Sequence, residues 1–191
     1  MAQHVHGEPT RQRGFTITEL LVVVIILGVL AAVVAPGIRS GSPDRVDLAA
    51  AEAAEAIRFA RSEALRTGNV HGVFVEHNQN RVTVEKTDLS EEPVDGESVL
   101  YHPVTRQPYT FDLDDDKLMS GVTIGNTSDV FNYWFLGPRR RLLFDAQGLP
   151  VYMKPIAGET YHLMPASIIF ELDGYERRVS IESYTGRVTI Q

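Results

Sequence analysis

The sequence predicts an α+β protein in which a long N-terminal, transmembrane α-helix packs on an antiparallel β-sheet domain. Three observations indicate this fold class. An apolar run extends from Leu20 to Ile38, a helical pattern of small apolar residues follows from Asp44 to Thr67, and beyond Gly68 apolar residues recur at every second position. The 191 residues leave room for one globular domain of about 150 residues behind the first helix.

The apolar run has the length of a membrane span. The 19 residues from Leu20 to Ile38 carry no charged or polar side chain, and as a helix they would extend over roughly 28 Å, the thickness of a bilayer core. Arg11 and Arg13 lie just upstream, and the positive-inside tendency keeps such a short segment in the cytoplasm. We therefore expect a single pass through the inner membrane, with the C-terminal domain in the periplasm.

A cleavable secretory signal is the alternative interpretation of this segment. Small residues that could form a cleavage site occur only around Ala32 to Ala35. A cut after Ala35 would place Pro36 directly after the scissile bond, where its fixed φ and missing N–H make a poor substrate. The pattern favours an uncleaved helix.

Glu19 is a carboxylate at the threshold of the apolar run, four residues after Phe15. A carboxylate in hydrocarbon costs on the order of 3 kcal/mol even on insertion scales, so it should be paired or functional. The alternative is a carboxylate that rests in the headgroup region.

The segment from Arg13 to Leu20, RGFTITEL, followed by the apolar run and Pro36, resembles the class III signal of type IV pilins and type II secretion pseudopilins. The resemblance implies that a prepilin peptidase cuts after Gly14 and methylates the new N-terminus at Phe15, which makes Glu19 the fifth mature residue. It also implies that Glu19 pairs with the Phe15 amine of a neighbouring subunit. In a low dielectric two such charges attract strongly, while each alone is costly.

The resemblance divides the chain into four parts. Residues 1–14 are a leader peptide, 15–38 the transmembrane and assembly helix, 39–68 the second part of the N-terminal helix, and 69–191 a β-rich globular domain. Within the second part, Ser42 can cap a helix and Pro43 can occupy its first turn. This predicts a break or kink near Gly41–Pro43.

The second helix has a narrow apolar stripe and ends at Gly68. The stripe consists of Val46, Ala50, Ala53, Ile57, Ala60 and Ala64, and we interpret it as core packing against a sheet. Residues 59–68, FARSEALRTG, resemble the end of this helix in minor pseudopilins of the GspH/FimT type.

The β region begins with a hairpin around Asn78–Asn80, whose strands are Val70–Glu76 and Arg81–Glu85. Further strands are predicted at Tyr109–Leu113, Val122–Ile124, Val130–Leu136, Arg141–Phe144, Leu149–Met153, Ser167–Leu172, Arg177–Ile181 and Arg187–Ile190. The strings FDAQG at residues 144–148 and YTGRV at 184–188 again resemble the GspH/FimT type.

The sequence indicates neither an enzyme nor a cofactor protein. There is no cysteine, and the six histidines, at positions 4, 6, 71, 77, 102 and 162, are scattered. We expect them to be solvent or strand-surface residues, without a metal site. The acids of Asp112–Asp116 have calcium-type oxygen ligands but lack the EF-hand glycine and the twelfth-position Glu, which favours a solvated acidic turn. The arginines at 139–141 are expected at a loop edge.

The charge pattern argues against nucleic-acid binding. The formal charge is -7, so affinity for phosphate backbones is not expected from net charge. Residues 76–117 carry eleven acids against four basic residues, whereas 139–191 carry six against seven.

Together these observations predict a GspH-like minor pseudopilin that helps to build a periplasmic pseudopilus. Its expected partners are the prepilin peptidase, other pseudopilins or pilins through the N-terminal helix, and the inner membrane, with no small-molecule substrate. The alternatives are a FimT-like minor pilin active in DNA uptake or pilus assembly, and an unrelated membrane-anchored domain.

Overall fold

The computed structural model describes residues 17–34, 41–87, 98–125, 130–153 and 159–191. The chain divides into two compact units, Met1–Arg39 and Ser40–Gln191. The first unit contains helix α1 (Ile17–Val34), and the second contains every other element described. Across the described ranges, none of the helices meets the combined requirement of length and apolarity for a membrane span.

Helix α2 (Ser42–Thr67) begins one residue earlier than the capping pattern suggested. Gly41 is the N-cap, in an extended conformation with φ -66° and ψ 164°. Ser42 therefore lies inside the first turn, and its hydroxyl donates to Asp173 Oδ2 at 2.7 Å instead of capping the helix. The helix ends as predicted, because Gly68 adopts a left-handed φ of +69° and its N–H donates to the Ala64 carbonyl at 2.9 Å.

Within the described residues the strands are short and antiparallel. They are β1 (His71–Glu76), β2 (Arg81–Lys86), β3 (Thr110–Asp112), β4 (Thr123–Ile124), β5 (Phe131–Tyr133), β6 (Gly137–Arg139), β7 (Arg141–Phe144), β8 (Val151–Met153), β9 (Thr160–His162), β10 (Ala166–Leu172), β11 (Tyr175–Ile181) and β12 (Val188–Ile190). One sheet has the order β3-β2-β1-β7 and a second has the order β12-β11-β10-β4. Strands β5 and β6 form one separate pair, and β8 and β9 another.

Two strands, β6 and β9, were not predicted, and several were predicted too long, β5 the most. Strand β6 contains Pro138, a residue that normally argues against a strand, and it survives here in a two-stranded pair. Strand β9 has only three residues. Strand β5 ends at Tyr133 rather than Leu136, because Phe135 adopts φ +62° and the chain turns there.

Helix α2 is the shared centre of the second unit. It packs against β1, β2 and β7 of the first sheet and against β10, β11 and β12 of the second. All six predicted stripe residues are buried, and Ala49, Ala54 and Ala56 are buried beside them. The alanines allow both sheets to approach the helix closely, so the buried face is wider than the predicted stripe. The core residues of this unit extend from Val46 to Val188.

Candidate functional site

The residues predicted for processing lie at the N-terminal end of the chain. Gly14 and Phe15 fall outside the described residues. Glu19 falls inside them, in the first turn of α1. A carboxylate in the first turn interacts favourably with the helix dipole, so Glu19 suits the N-terminus of the helix as well as a pairing role.

Helix α1 is apolar on all sides. From Ile17 to Leu30 its large apolar side chains are between 47% and 87% exposed within the chain, and none of its sides is polar. A helix that is apolar all round is not stable in water and needs apolar surroundings, either lipid or neighbouring helices. Its one acidic residue, Glu19, lies at the end of this surface.

The acidic segment Asp112–Asp116 forms a turn held by its own hydrogen bonds. Asp112 Oδ2 accepts from Arg81 Nη2 at 3.0 Å, and Asp116 Oδ1 accepts from the Leu118 N–H at 2.7 Å. Asp114 Oδ1 accepts from the Asn80 side-chain amide at 3.1 Å. Hydrogen bonding to Arg81 and to backbone N–H groups lowers the pKa of Asp112, against the effect of desolvation. In the part of the chain that is described, no cluster of three or more acidic or histidine side chains could hold a metal ion.

One histidine departs from the expected surface position. His71 is buried on the face of β1 that also carries Val73 and Val75. Its Nδ1 lies 3.0 Å from the Asn69 carbonyl, which satisfies one ring nitrogen at the C-terminal end of α2. The alternation of β1 places position 71 inside the core, and this contact explains how the core accepts an imidazole there.

Arg141 also differs from its expected position at a loop edge. Its side chain is buried in β7, where Nε lies 2.7 Å from Glu85 Oε1 of β2. The guanidinium also lies over the Phe74 ring, 5.3 Å from its centroid, on the intervening strand β1. Burial raises the pKa of Glu85, and the neighbouring Arg141 opposes that shift. The alternating pattern around Val82 and Val84 predicts that Glu85 belongs to a strand. It does not predict Arg141 as the partner of Glu85, because that contact depends on how strands distant in sequence align.

The three arginines of the last two strands and the turn between them, which are the best candidates for a basic nucleic-acid surface, each have an acidic partner. Arg177 pairs with Asp47 of α2, Arg178 Nη2 lies 3.1 Å from Glu176, and Arg187 Nε lies 3.5 Å from Glu182. These pairs neutralise much of the positive charge that a phosphate backbone would require.

Sequence reasoning missed an exposed aromatic tip on the turn between β5 and β6. Phe135 is 95% exposed and Trp134 is 50% exposed, and their ring centroids lie 6.1 Å apart. The signal was present in the sequence, since Gly137–Pro138 directly after Trp134–Leu136 marks a turn. The apolar residues of this turn instead predict a continuation of β5.

One family model and two solved structures are similar to parts of this chain. Residues 9–35 match the family model described as the prokaryotic N-terminal methylation motif. A search of curated proteins found no match. Among solved structures, the chain is similar to the minor pseudopilin EpsH from the type 2 secretion system of Vibrio cholerae, with 14% identity, a TM-score of 0.47, and coverage of 78% of this chain and 97% of that one.

A second solved structure with similarity is the type IV minor pilin FimU of Pseudomonas aeruginosa. The identity is 15% and the TM-score 0.42, with coverage of 76% of this chain and 87% of that chain. The matched motif includes Gly14, Phe15, Glu19 and the whole of α1. The chain thus carries the prokaryotic N-terminal methylation motif ahead of an α+β domain.

Proposed function

We propose that this chain is a minor pseudopilin of the GspH type, processed and N-methylated by a prepilin peptidase and assembled into the periplasmic pseudopilus of a type II secretion system. The observation that carries the proposal is the methylation motif over residues 9–35, with Glu19 at the start of a helix that is apolar on all sides. The role is structural, and the proposal requires neither a cofactor nor a small-molecule substrate.

The proposed order of events follows from the charges and the apolar surface. Cleavage after Gly14 frees the α-amino group of Phe15, a cation close in sequence to Glu19. Before assembly the helix lies in the inner membrane as a single pass, because 19 consecutive residues from Leu20 to Ile38 lack polar side chains. On assembly the helix exchanges lipid for the helices of neighbouring pseudopilins, and the pair of charges fixes the register.

Sequence strings outside the N-terminus support the GspH/FimT type as a whole. Residues 59–68 end α2, residues 144–148 link β7 to β8, and residues 184–188 lead into β12. These are the strings that resemble the GspH/FimT type. The rival FimT-like pilin shares them, so the decision rests on nucleic-acid binding, which the paired arginines Arg177, Arg178 and Arg187 disfavour.

Processing is the most direct test of the proposal. Co-expression of the full chain with a prepilin peptidase should remove fourteen residues and give a methylated Phe15 at the N-terminus, measured by mass spectrometry of the intact protein. Gly14→Asp is the matched variant, because it alters only the residue before the cut and should remain unprocessed. A mature N-terminus at any other residue, or normal processing of Gly14→Asp, contradicts the proposal and supports an unrelated membrane-anchored domain.

A further inference from the structure

The aromatic tip, Trp134–Leu136, holds an apolar side chain in water on a strained backbone. Phe135 is 95% exposed, and its φ of +62° lies in the left-handed region that disfavours residues with a Cβ. Such a residue is expected where another surface covers it.

The aromatic tip is held firmly in place by backbone hydrogen bonds. The Trp134 N–H donates to the His162 carbonyl at 3.1 Å, and the Met164 N–H donates to the Asn132 carbonyl at 2.8 Å. The Leu136 N–H closes the turn on the Tyr133 carbonyl at 3.2 Å. A fixed turn presents Phe135 at little entropic cost on binding, which is the property of an interface anchor.

A groove of suitable chemistry lies elsewhere on the same domain, between α2 and the segment 102–119. Two adjoining cavities of about 450 Å³ and 380 Å³ share Glu52, His102 and Tyr109 along their walls. The rim of this groove is apolar and open, because Val104 is 81% exposed and Leu118 is 63% exposed. We refer to it as the α2 groove.

The α2 groove is negative, whereas the residues that follow the aromatic tip are positive. The acids in the groove are Glu52, Glu55 and Asp116 against the single cation Arg58, which gives a formal charge of -2. Burial raises the pKa of the Tyr109 phenol, and the carboxylates of Glu52 and Glu55 raise it further, as expected in a negative field. The aromatic tip is followed directly by Arg139 and Arg140, and residues 130–141 contain no acid.

We propose that the aromatic tip of one copy of this chain docks in the α2 groove of a second copy. The two surfaces share no residue and belong to different elements, so the contact is head-to-tail rather than two-fold symmetric. Each bound pair then retains one unused tip and one unused groove, and further copies can add in the same way. The contact uses no residue of α1 and goes beyond the proposed processing and assembly through that helix.

Cysteine crosslinking tests the contact in the full chain, which contains no native cysteine. Two differently tagged copies are co-expressed, one with Trp134→Cys and the other with Val104→Cys, and the membranes are then oxidised. We expect a disulfide between the two tags. The matched control uses Tyr175→Cys in place of Trp134→Cys, because Tyr175 is equally exposed, at 50%, and belongs to neither surface. We expect the control to give at least about tenfold less crosslinked product.

A second variant separates binding from folding. Adding Phe135→Gly to the Trp134→Cys copy removes the anchor ring and suits the left-handed φ, so the domain's thermal unfolding temperature should stay level or rise. The crosslink to Val104→Cys should nevertheless fall by about tenfold or more. The proposal is overturned if Phe135→Gly leaves the crosslink unchanged, or if the crosslink yield is no higher than in the Tyr175→Cys control. It is also overturned if the crosslink forms only between two Trp134→Cys copies.

Discussion

At the scale of single residues, the buried pair Glu85–Arg141 is the feature whose loss should cost the most stability. Arg141→Met removes the ion-pair partner of a carboxylate that is 3% exposed. Breaking one side of a buried pair typically costs about 3–5 kcal/mol, whereas replacing both partners by apolar residues is often neutral. We expect Arg141→Met to lower the free energy of unfolding of the 40–191 fragment by that amount, and Glu85→Leu/Arg141→Met to recover most of it, measured by urea denaturation.

The cost of Arg141→Met should also depend on pH. Burial raises the pKa of Glu85 above its unfolded value, and losing Arg141 removes the charge that opposes this shift. A carboxyl whose folded pKa is raised binds protons more tightly in the folded state, so its favourable contribution is present at low pH and is lost as the pH rises through the folded pKa. The difference between wild type and Arg141→Met should therefore shrink on acidification from pH 7. A difference that grows towards low pH contradicts this assignment.

Glu19 should govern assembly rather than folding. It belongs to the first compact unit, whereas the core residues, from Val46 to Val188, belong to the second. Glu19→Ala should leave the unfolding of residues 40–191 unchanged and make membrane insertion easier, because it removes a charge from the apolar segment.

The same variant should lose crosslinks to other pseudopilins and secretion of the system's substrate, since the amine of Phe15 loses its proposed partner. Glu19→Asp is the matched control, because it keeps the charge on a shorter side chain. If Glu19→Ala is stably expressed, correctly cleaved and still fully active in secretion, the carboxylate is dispensable and the headgroup interpretation explains it better.

At the scale of elements, the close pairing of β1 with β7 requires a glycine, Gly72, at the point where the two strands meet. A Cβ at Gly72 would lie 2.1 Å from the Leu142 carbonyl oxygen, a backbone atom that cannot move without separating the strands. Gly72→Ala should destabilise the 40–191 fragment by about 1–3 kcal/mol or more, as overpacking does. Gly125→Ala is the matched control, because its Cβ would meet only the flexible end of Glu171 at 2.8 Å. Equal effects of the two changes in thermal denaturation would show that strand spacing at Gly72 is not limiting.

At the scale of the whole molecule, net charge predicts that the domain does not bind DNA. The full chain has formal charge -7. Residues 1–14 contribute +1 and Glu19 contributes -1, and because these two contributions cancel, the chain from Arg39 onward also carries -7. With Arg177, Arg178 and Arg187 each paired to a carboxylate, we expect affinity for duplex DNA no better than about 10⁻⁴ M at physiological salt. A gel shift at micromolar protein that disappears when these three arginines are replaced by glutamine would favour the FimT-like alternative.

The sequence predicted most elements of this fold because their signals are local. The alanine stripe, the Gly68 stop and the alternating strands each depend on residues close together in the chain, and the structure confirms them. The missed features depend on distant partners. The pairing of Arg177 with Asp47 joins residues 130 positions apart, and the burial of Arg141 follows from the register of three strands. The processing site at Gly14 and Phe15 stays a prediction from a local signature, whereas the α2 groove is assembled from α2 and a separate loop.

The position of α2 between two sheets imposes an order on biosynthesis. The helix leaves the ribosome early, yet part of its alanine face is covered by β12, the last strand, and Arg58 Nη2 reaches the Val188 carbonyl at 3.4 Å. Contacts so distant in sequence make folding slow, because loop closure is unfavourable until they form. The domain therefore cannot complete its core until its C-terminus has emerged. A chain truncated before Val188 leaves part of the apolar face of α2 exposed to solvent. We expect quality-control proteases to degrade such a chain before it can assemble.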